Sequence, residues 1–134
     1  MNKDTYDLIY SYMEKCMDDS AHDKEHIIRV LYVALDIAEH EKDVDYDILI
    51  CSCLLHDIGR SEQLKNPKLS HAEAGASRAY NFLVDHDFKP DFAGKVKACI
   101  GSHSYRKNDG SESIEAKILF DADKVDVTGA IGIA

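Results

Sequence analysis

The stretch Cys51-Ser52-Cys53-Leu54-Leu55-His56-Asp57-Ile58-Gly59 sets an imidazole and a carboxylate at the end of a strongly apolar run. A carboxylate at a helix C-terminus meets the negative end of the helix dipole, which disfavours it by roughly 0.3–1 kcal/mol. Burying it costs more again unless a cation is near. A divalent metal removes both penalties, because it binds a deprotonated carboxylate and a neutral imidazole. Taken alone, the pair reads more simply as a satisfied core histidine followed by an exposed helix-terminal aspartate.

The pair is not alone. His22 and His26 lie four apart, and His26 directly precedes Ile27-Ile28-Arg29-Val30, beside an apolar stripe. His22 falls nearer the helix start and reads as a solvated or capping residue. Phe120-Asp121-Ala122-Asp123-Lys124-Val125-Asp126 carries three carboxylates through an apolar pattern, with Asp123 and Asp126 on one edge and Asp121 across from them. A solvated acidic face accounts for Asp126, but less well for acids on both sides of the stripe. His71 and His103 each stand at a helix end beside a loop. Together His26, His56, Asp57, His71, His103 and Asp123 offer nitrogen and oxygen donors from five helices. That mixture suits Mn, Fe, Co, Ni or Zn, and helical bundles commonly build metal sites from facing helices.

The positioning elements follow from the helical period, which recurs through most of the chain. Tyr6, Ile9, Tyr10, Met13 and Met17 predict a first helix over about 4–18. Ile27, Val30, Leu31, Ala34, Ile37 and Ala38 form the face of a second, which fades in the charged stretch 39–43. Asp45 is the expected N-cap of a third, carrying Ile48 to Leu55 and stopped by Gly59. After a polar loop over 60–69, Ser70-His71-Ala72-Glu73 has capping-box form and opens a helix through Ala79, Phe82 and Leu83. Pro90 starts a fifth helix with Phe92, Val96, Cys99 and Ile100 inward. A loop over 104–113 leads to a last helix bearing Ile114, Ile118, Ala122 and Val125. No repeat or credible strand pair is present, so the fold class expected is all-α, a bundle of about six helices.

At 134 residues, 45% hydrophobic and 31% charged, the chain suits one domain with an ordinary core. No secretory signal and no apolar run near the ~20 residues of a membrane span are visible, so a cytoplasmic protein without membrane contact is expected. Cys16, Cys51, Cys53 and Cys99 form no Cys-x-x-Cys pair and fall on apolar stretches, which points to buried reduced thiols and not a structural zinc site. The net charge of −9 argues against a broad nucleic-acid surface. It leaves room for a small anionic substrate held through a cation.

The order His26, His56-Asp57 and a distal aspartate resembles the signature of the HD superfamily of metal-dependent phosphohydrolases. The flanking blocks His26-Ile27-Ile28-Arg29-Val30, Leu54-Leu55-His56-Asp57-Ile58-Gly59, Ser70-His71-Ala72-Glu73-Ala74-Gly75-Ala76 and Asp121-Ala122-Asp123-Lys124-Val125-Asp126 are similar to the family in the same order. The closing Gly129-Ala130-Ile131-Gly132-Ile133-Ala134 resembles a bacterial branch of small, stand-alone HD hydrolases. The resemblance spans about residues 20–134 and implies an HD-domain helical bundle with its metal site between helices. It implies His26, His56, Asp57 and Asp123 as ligands of one divalent ion (Mn, Fe, Co, Ni, Zn or Mg). Asp123 is preferred to Asp121 because the last ligand of the family is the Asp of an Ala-Asp-Lys/Arg block. His71 and His103 match positions that bind a second ion in two-metal members and line the phosphate pocket in one-metal members. Relatives of this branch continue for several helices after the closing motif, so residues 1–134 are expected to form a single HD domain lacking C-terminal helices. Arg60-Ser61-Glu62 departs from the paired acids of the alarmone hydrolases and disfavours that substrate.

The activity expected from the resemblance is hydrolysis of a phosphate ester or anhydride in a nucleotide or other small phosphorylated metabolite. Asp57 orients or deprotonates the attacking water, and His71 or His103 donates to the leaving side. Arg29 and Lys124 are the candidate substrate-binding cations, with Arg60, Arg78, Arg106 and Lys107 behind them. Two competing readings are a regulatory domain that binds metal or nucleotide without turnover, and a di-iron HD oxygenase.

Overall fold

The computed structural model describes residues 2–17, 21–59, 71–102 and 113–127. Among them are six helices and no strand: α1 (Lys3–Met17), α2 (Ala21–Ala38), α3 (Tyr46–Leu55), α4 (His71–Asp85), α5 (Pro90–Ser102) and α6 (Ile114–Val127). The all-α expectation is met.

The helix most apolar in sequence is the central one. In α3 the residues Ile48, Leu49, Cys51, Ser52, Cys53, Leu54 and Leu55 are all buried, as a helix without a polar face must be. It packs against each of the other five helices. The amphipathic helices turn their stripes toward it: Ile9 and Met13 from α1, Ile27, Val30 and Ala34 from α2, Val96 and Ile100 from α5, and Ile118, Leu119 and Ala122 from α6 are buried. Several residues assigned to the stripes, Tyr6, Tyr10, Ile37, Phe92, Ile114 and Val125, are only half-buried at the margin of this core.

Local signals fix where α3 begins and ends. Asp45 Oδ1 accepts hydrogen bonds from the backbone N–H groups of Asp47 and Ile48 at 3.0 and 3.2 Å, as an N-cap should. The buried Glu115 of α6 accepts the N–H of Asp45 at 3.2 Å, tying the start of α3 to the start of α6. Ser113 Oγ caps α6 by accepting the Ala116 N–H at 3.1 Å. The ordered helix of α3 stops at Leu55, with His56 as its C-cap, and the turn 56–59 carries the His-Asp pair.

α4 ends in the paired hydrogen bonds of a Schellman motif, Phe88 N–H to Leu83 O at 3.0 Å and Asp87 N–H to Val84 O at 3.2 Å. Its left-handed residue is Asp87, at φ 68°. Glycine adopts that conformation without the Cβ penalty. Asp87→Gly is therefore expected to raise the melting temperature by a few degrees, a gain of up to about 1 kcal/mol, measured by thermal circular dichroism.

Burial also settles the cysteines. Cys51, Cys53 and Cys99 are free and buried, Cys16 is free and half-buried, and burial pushes the Cys51 and Cys53 thiols far above their ordinary range. No helix among the described residues is long and apolar enough to cross a membrane.

Candidate metal centre

Three helices converge where the chain order predicts. α2 contributes His26, the turn after α3 contributes His56 and Asp57, and α6 contributes Asp123. One donor atom from each of His26, His56 and Asp123 lies within 4.8 Å of the others. His26 Nε2 is 3.0 Å from Asp123 Oδ1, and His56 Nε2 is 3.5 Å from the same oxygen. Asp57 closes the group, with Oδ2 at 3.8 Å from His26 Nε2 and Oδ1 at 3.8 Å from His56 Nε2. His56 is fully buried and Asp57 is only 6% exposed. The alternative of an exposed helix-terminal aspartate is thereby ruled out.

Each imidazole is oriented from behind. His56 Nδ1 donates to the carbonyl of Cys53 at 2.7 Å, which turns Nε2 toward the carboxylates. His26 Nδ1 donates to Asp126 Oδ2, and Arg29 grips the same carboxylate, with Nε 2.7 Å from Oδ1 and Nη2 3.4 Å from Oδ2. Ligating histidines characteristically donate their second ring nitrogen to a carbonyl or carboxylate. The donor set, two ring nitrogens and two carboxylates with both tautomers fixed, fits a divalent ion of intermediate softness.

The electrostatics point the same way. Burial by itself would lower the pKa of His56, yet the adjacent Asp57 and Asp123 overcome it and raise the value to about 9. His26 is raised by its hydrogen bond to Asp123, against an opposing effect of burial and with help from Asp126. Burial pushes the Asp126 carboxyl up, but Arg29 and His26 outweigh it and hold the group below its ordinary value. The pocket thus carries an excess of negative charge that draws protons onto the imidazoles, and a divalent cation would displace them.

Residues 24–128 match the HD domain family. The chain belongs to it. The HD relative YpgQ of Bacillus subtilis (strain 168), an uncharacterized protein, is 33% identical over 121 residues, covering 87% of this chain and 56% of YpgQ. This chain therefore spans little more than half the length of that relative. Among solved structures, a predicted HD superfamily hydrolase from an uncultured Thermotogales bacterium superposes with a TM-score of 0.73 at 35% identity, covering 96% of this chain and 72% of that one. YpgQ in complex with ADP superposes with a TM-score of 0.68 at 29% identity, covering 91% of this chain and 57% of that one. The HD hydrolase fold is thus established, together with a His/Asp cluster able to hold a metal.

The remaining candidate residues fall in several places. His71 is the first residue of α4, one turn before Gly75, and His103 lies outside the described residues, as do Arg60, Arg106 and Lys107. Lys124 is exposed, its Nζ 5.9 Å from the centre of the Phe120 ring. Arg29 is engaged with Asp126. Arg78 donates to the carbonyl of Ile58 at 3.1 Å and to Cys16 Sγ at 3.3 Å, so it braces the His-Asp turn from the side of α1.

Three features are not evident from the sequence: the anchoring role of Asp126, the bracing role of Arg78 and the close approach of Gly75 to the backbone of Gly59 in the turn after α3. The one trace of Asp126 in the sequence is that it follows Asp123 by three residues just as Arg29 follows His26, a spacing that does not say what the acid faces.

A pH dependence follows. The folded values of both imidazoles lie above the ordinary 6.5, so protonation stabilises the folded chain. That contribution is complete below pH 6.5 and is lost as pH rises through about 9. With chelator present, stability to urea is expected to fall across that window by about 3 kcal/mol from His56 alone. With Mn²⁺ present the fall should flatten, because the cation replaces the protons.

Proposed function

We propose that this chain is a metal-dependent phosphohydrolase acting on a nucleotide or another small phosphorylated metabolite, in a cytoplasmic setting. The observation that carries the reading is the meeting of His26, His56, Asp57 and Asp123 at one point, the His-Asp pair buried and the other two half-buried, with both imidazoles oriented by hydrogen bonds behind them. The ADP complex of YpgQ supports a small phosphorylated ligand. A divalent ion such as Mn²⁺, when bound, supplies Lewis acidity toward a phosphoryl oxygen and lowers the pKa of water at the site.

The chain's own residues do the rest. His26, His56, Asp57 and Asp123 hold the ion. Asp57, adjacent to both imidazoles, also orients the attacking water and takes its proton. His71 and His103 donate to the leaving side, or bind a second ion if one is present. Lys124 is the exposed cation next to Asp123 in sequence and serves as a phosphate contact. Residues 1–134 act as one HD domain, with any further helices of longer relatives outside it.

The test is release of phosphate or pyrophosphate from a panel of nucleotides and sugar phosphates with added Mn²⁺. Release that depends on metal and disappears in Asp57→Ala supports the reading, and the product identifies the bond broken. Binding of metal and nucleotide with no product from any substrate would convert the assignment to a regulatory domain. Oxygen consumption by an iron-loaded sample would convert it to an oxygenase.

A further inference from the structure

The two imidazoles of the cluster are anchored differently. Behind His56 stands a backbone carbonyl, fixed by the helix it belongs to. Behind His26 stands a carboxylate on another helix, a hundred residues away in sequence. That carboxylate side chain is only 8% exposed, while the Arg29 side chain that grips it is 48% exposed. A nearly buried carboxylate needs compensation for its lost hydration, and here it receives a guanidinium on one side and a ring N–H on the other. Asp57 and Asp123 already balance the two charges of a divalent ion. Asp126 would leave the site with a surplus negative charge facing an anionic substrate, and Arg29 cancels it.

We propose that Asp126 is a positioning residue that fixes the ring and tautomer of His26 for metal binding, and that Arg29 acts through Asp126 and does not touch substrate. This rests on the metal-centre reading above and assigns Arg29 a different task from the phosphate contact suggested by its charge. The carboxylate holds Nδ1 protonated, so Nε2 presents its lone pair to the cluster. An anionic partner also makes the imidazole a stronger donor than a neutral one does, and loss of such partners typically weakens metal binding by about 10–100-fold.

The experiment measures Mn²⁺ affinity by titration of the full chain, the Asp126→Asn variant, Arg29→Met and Arg29→Lys, each with its melting temperature under chelation. Asp126→Asn is expected to bind Mn²⁺ about 10–100-fold more weakly, with activity restored at saturating metal and KM unchanged. Arg29→Met should weaken metal binding by a smaller factor, and Arg29→Lys should recover most of it. If Asp126→Asn does not fold, Arg29→Met decides the matter alone, since its side chain lies at the surface and leaves every ligand in place. Unchanged Mn²⁺ affinity in either variant overturns the inference. So does a rise in KM for Arg29→Met at constant metal affinity, which would make Arg29 a substrate contact. If the parent chain takes up no metal at all, the metal-centre reading itself fails, a result distinct from equal binding by parent and variant.

Discussion

Asp57→Ala is expected to reduce phosphate release by a factor of about 10³ or more, equivalent to about 4 kcal/mol of lost transition-state stabilisation. The carboxylate sits within 3.8 Å of both imidazoles. It is almost wholly buried, at 6% exposure. On the proposed reading, its removal takes away one of the two negative charges that balance a divalent ion and the carboxylate that orients the attacking water. The same substitution has a distinctive effect without metal. Asp57 heads the influences that raise the His56 pKa, so the variant should hold its imidazole proton less tightly. Its stability under chelation should therefore change less between pH 6.5 and 9 than that of the parent chain. A folded, inactive protein with a reduced pH dependence would separate loss of chemistry from loss of structure. Retained activity in a folded Asp57→Ala variant would remove Asp57 from the site.

The second large effect is expected at Gly75. A Cβ placed there would lie 3.1 Å from the backbone nitrogen of Gly59 and 3.7 Å from both Gly59 Cα and the carbonyl oxygen of His56. Backbone cannot swing aside as a side-chain tip can, so α4 or the turn 56–59 must give by a few tenths of an ångström. Gly75→Ala gains about 1 kcal/mol of helix propensity, against an overpacking cost of about 1–3 kcal/mol. The net is a loss of about 0–2 kcal/mol, so its melting temperature should stay level or fall by several degrees. Metal ligation is less tolerant, because ligand distances are held to about ±0.2 Å. Gly75→Ala should lose roughly tenfold in metal affinity, in the range typical of residues supporting metal ligands. Gly75→Val adds two methyl groups in the same crowded space and should lose about 2–3 kcal/mol of stability as well. The pair is read by urea denaturation and Mn²⁺ titration. Equal affinity in Gly75→Ala and the parent would show that the turn absorbs the displacement without moving Asp57.

The helices were legible because burial imposes a period. The stripes Ile9-Met13 and Ile27-Val30-Ala34 stand out in the sequence itself, and Asp45 marks the start of α3. The site was legible because polar groups interrupted apolar faces: His56 and Asp57 at the end of the most apolar helix, His26 and Asp123 beside their stripes. Asp126 was not, since an acid at the edge of an amphipathic helix looks the same whether water or a neighbouring histidine satisfies it. Which of the two applies depends on how α2 and α6 cross, a long-range property that the spacing of neither helix encodes. Gly75 was quoted within a motif block, but its role depends on where α4 crosses the turn after α3. Arg78 read as a solvated surface cation or a phosphate contact for the same reason, and its hydrogen bond to the Ile58 carbonyl shows a bracing role that neither reading named.

The cluster gathers residues 26, 56, 57 and 123, which lie almost a hundred residues apart in sequence at the extremes. Only the native arrangement gathers them, so any cation they bind acts as a reversible clasp on the whole domain. At a free metal concentration about a hundred times the dissociation constant, the clasp adds roughly 2.7 kcal/mol to the folded state. Resistance to a protease that cuts only unfolded chain then becomes a gauge of metal supply. In a metal-starved cell, the lifetime of the protein would fall.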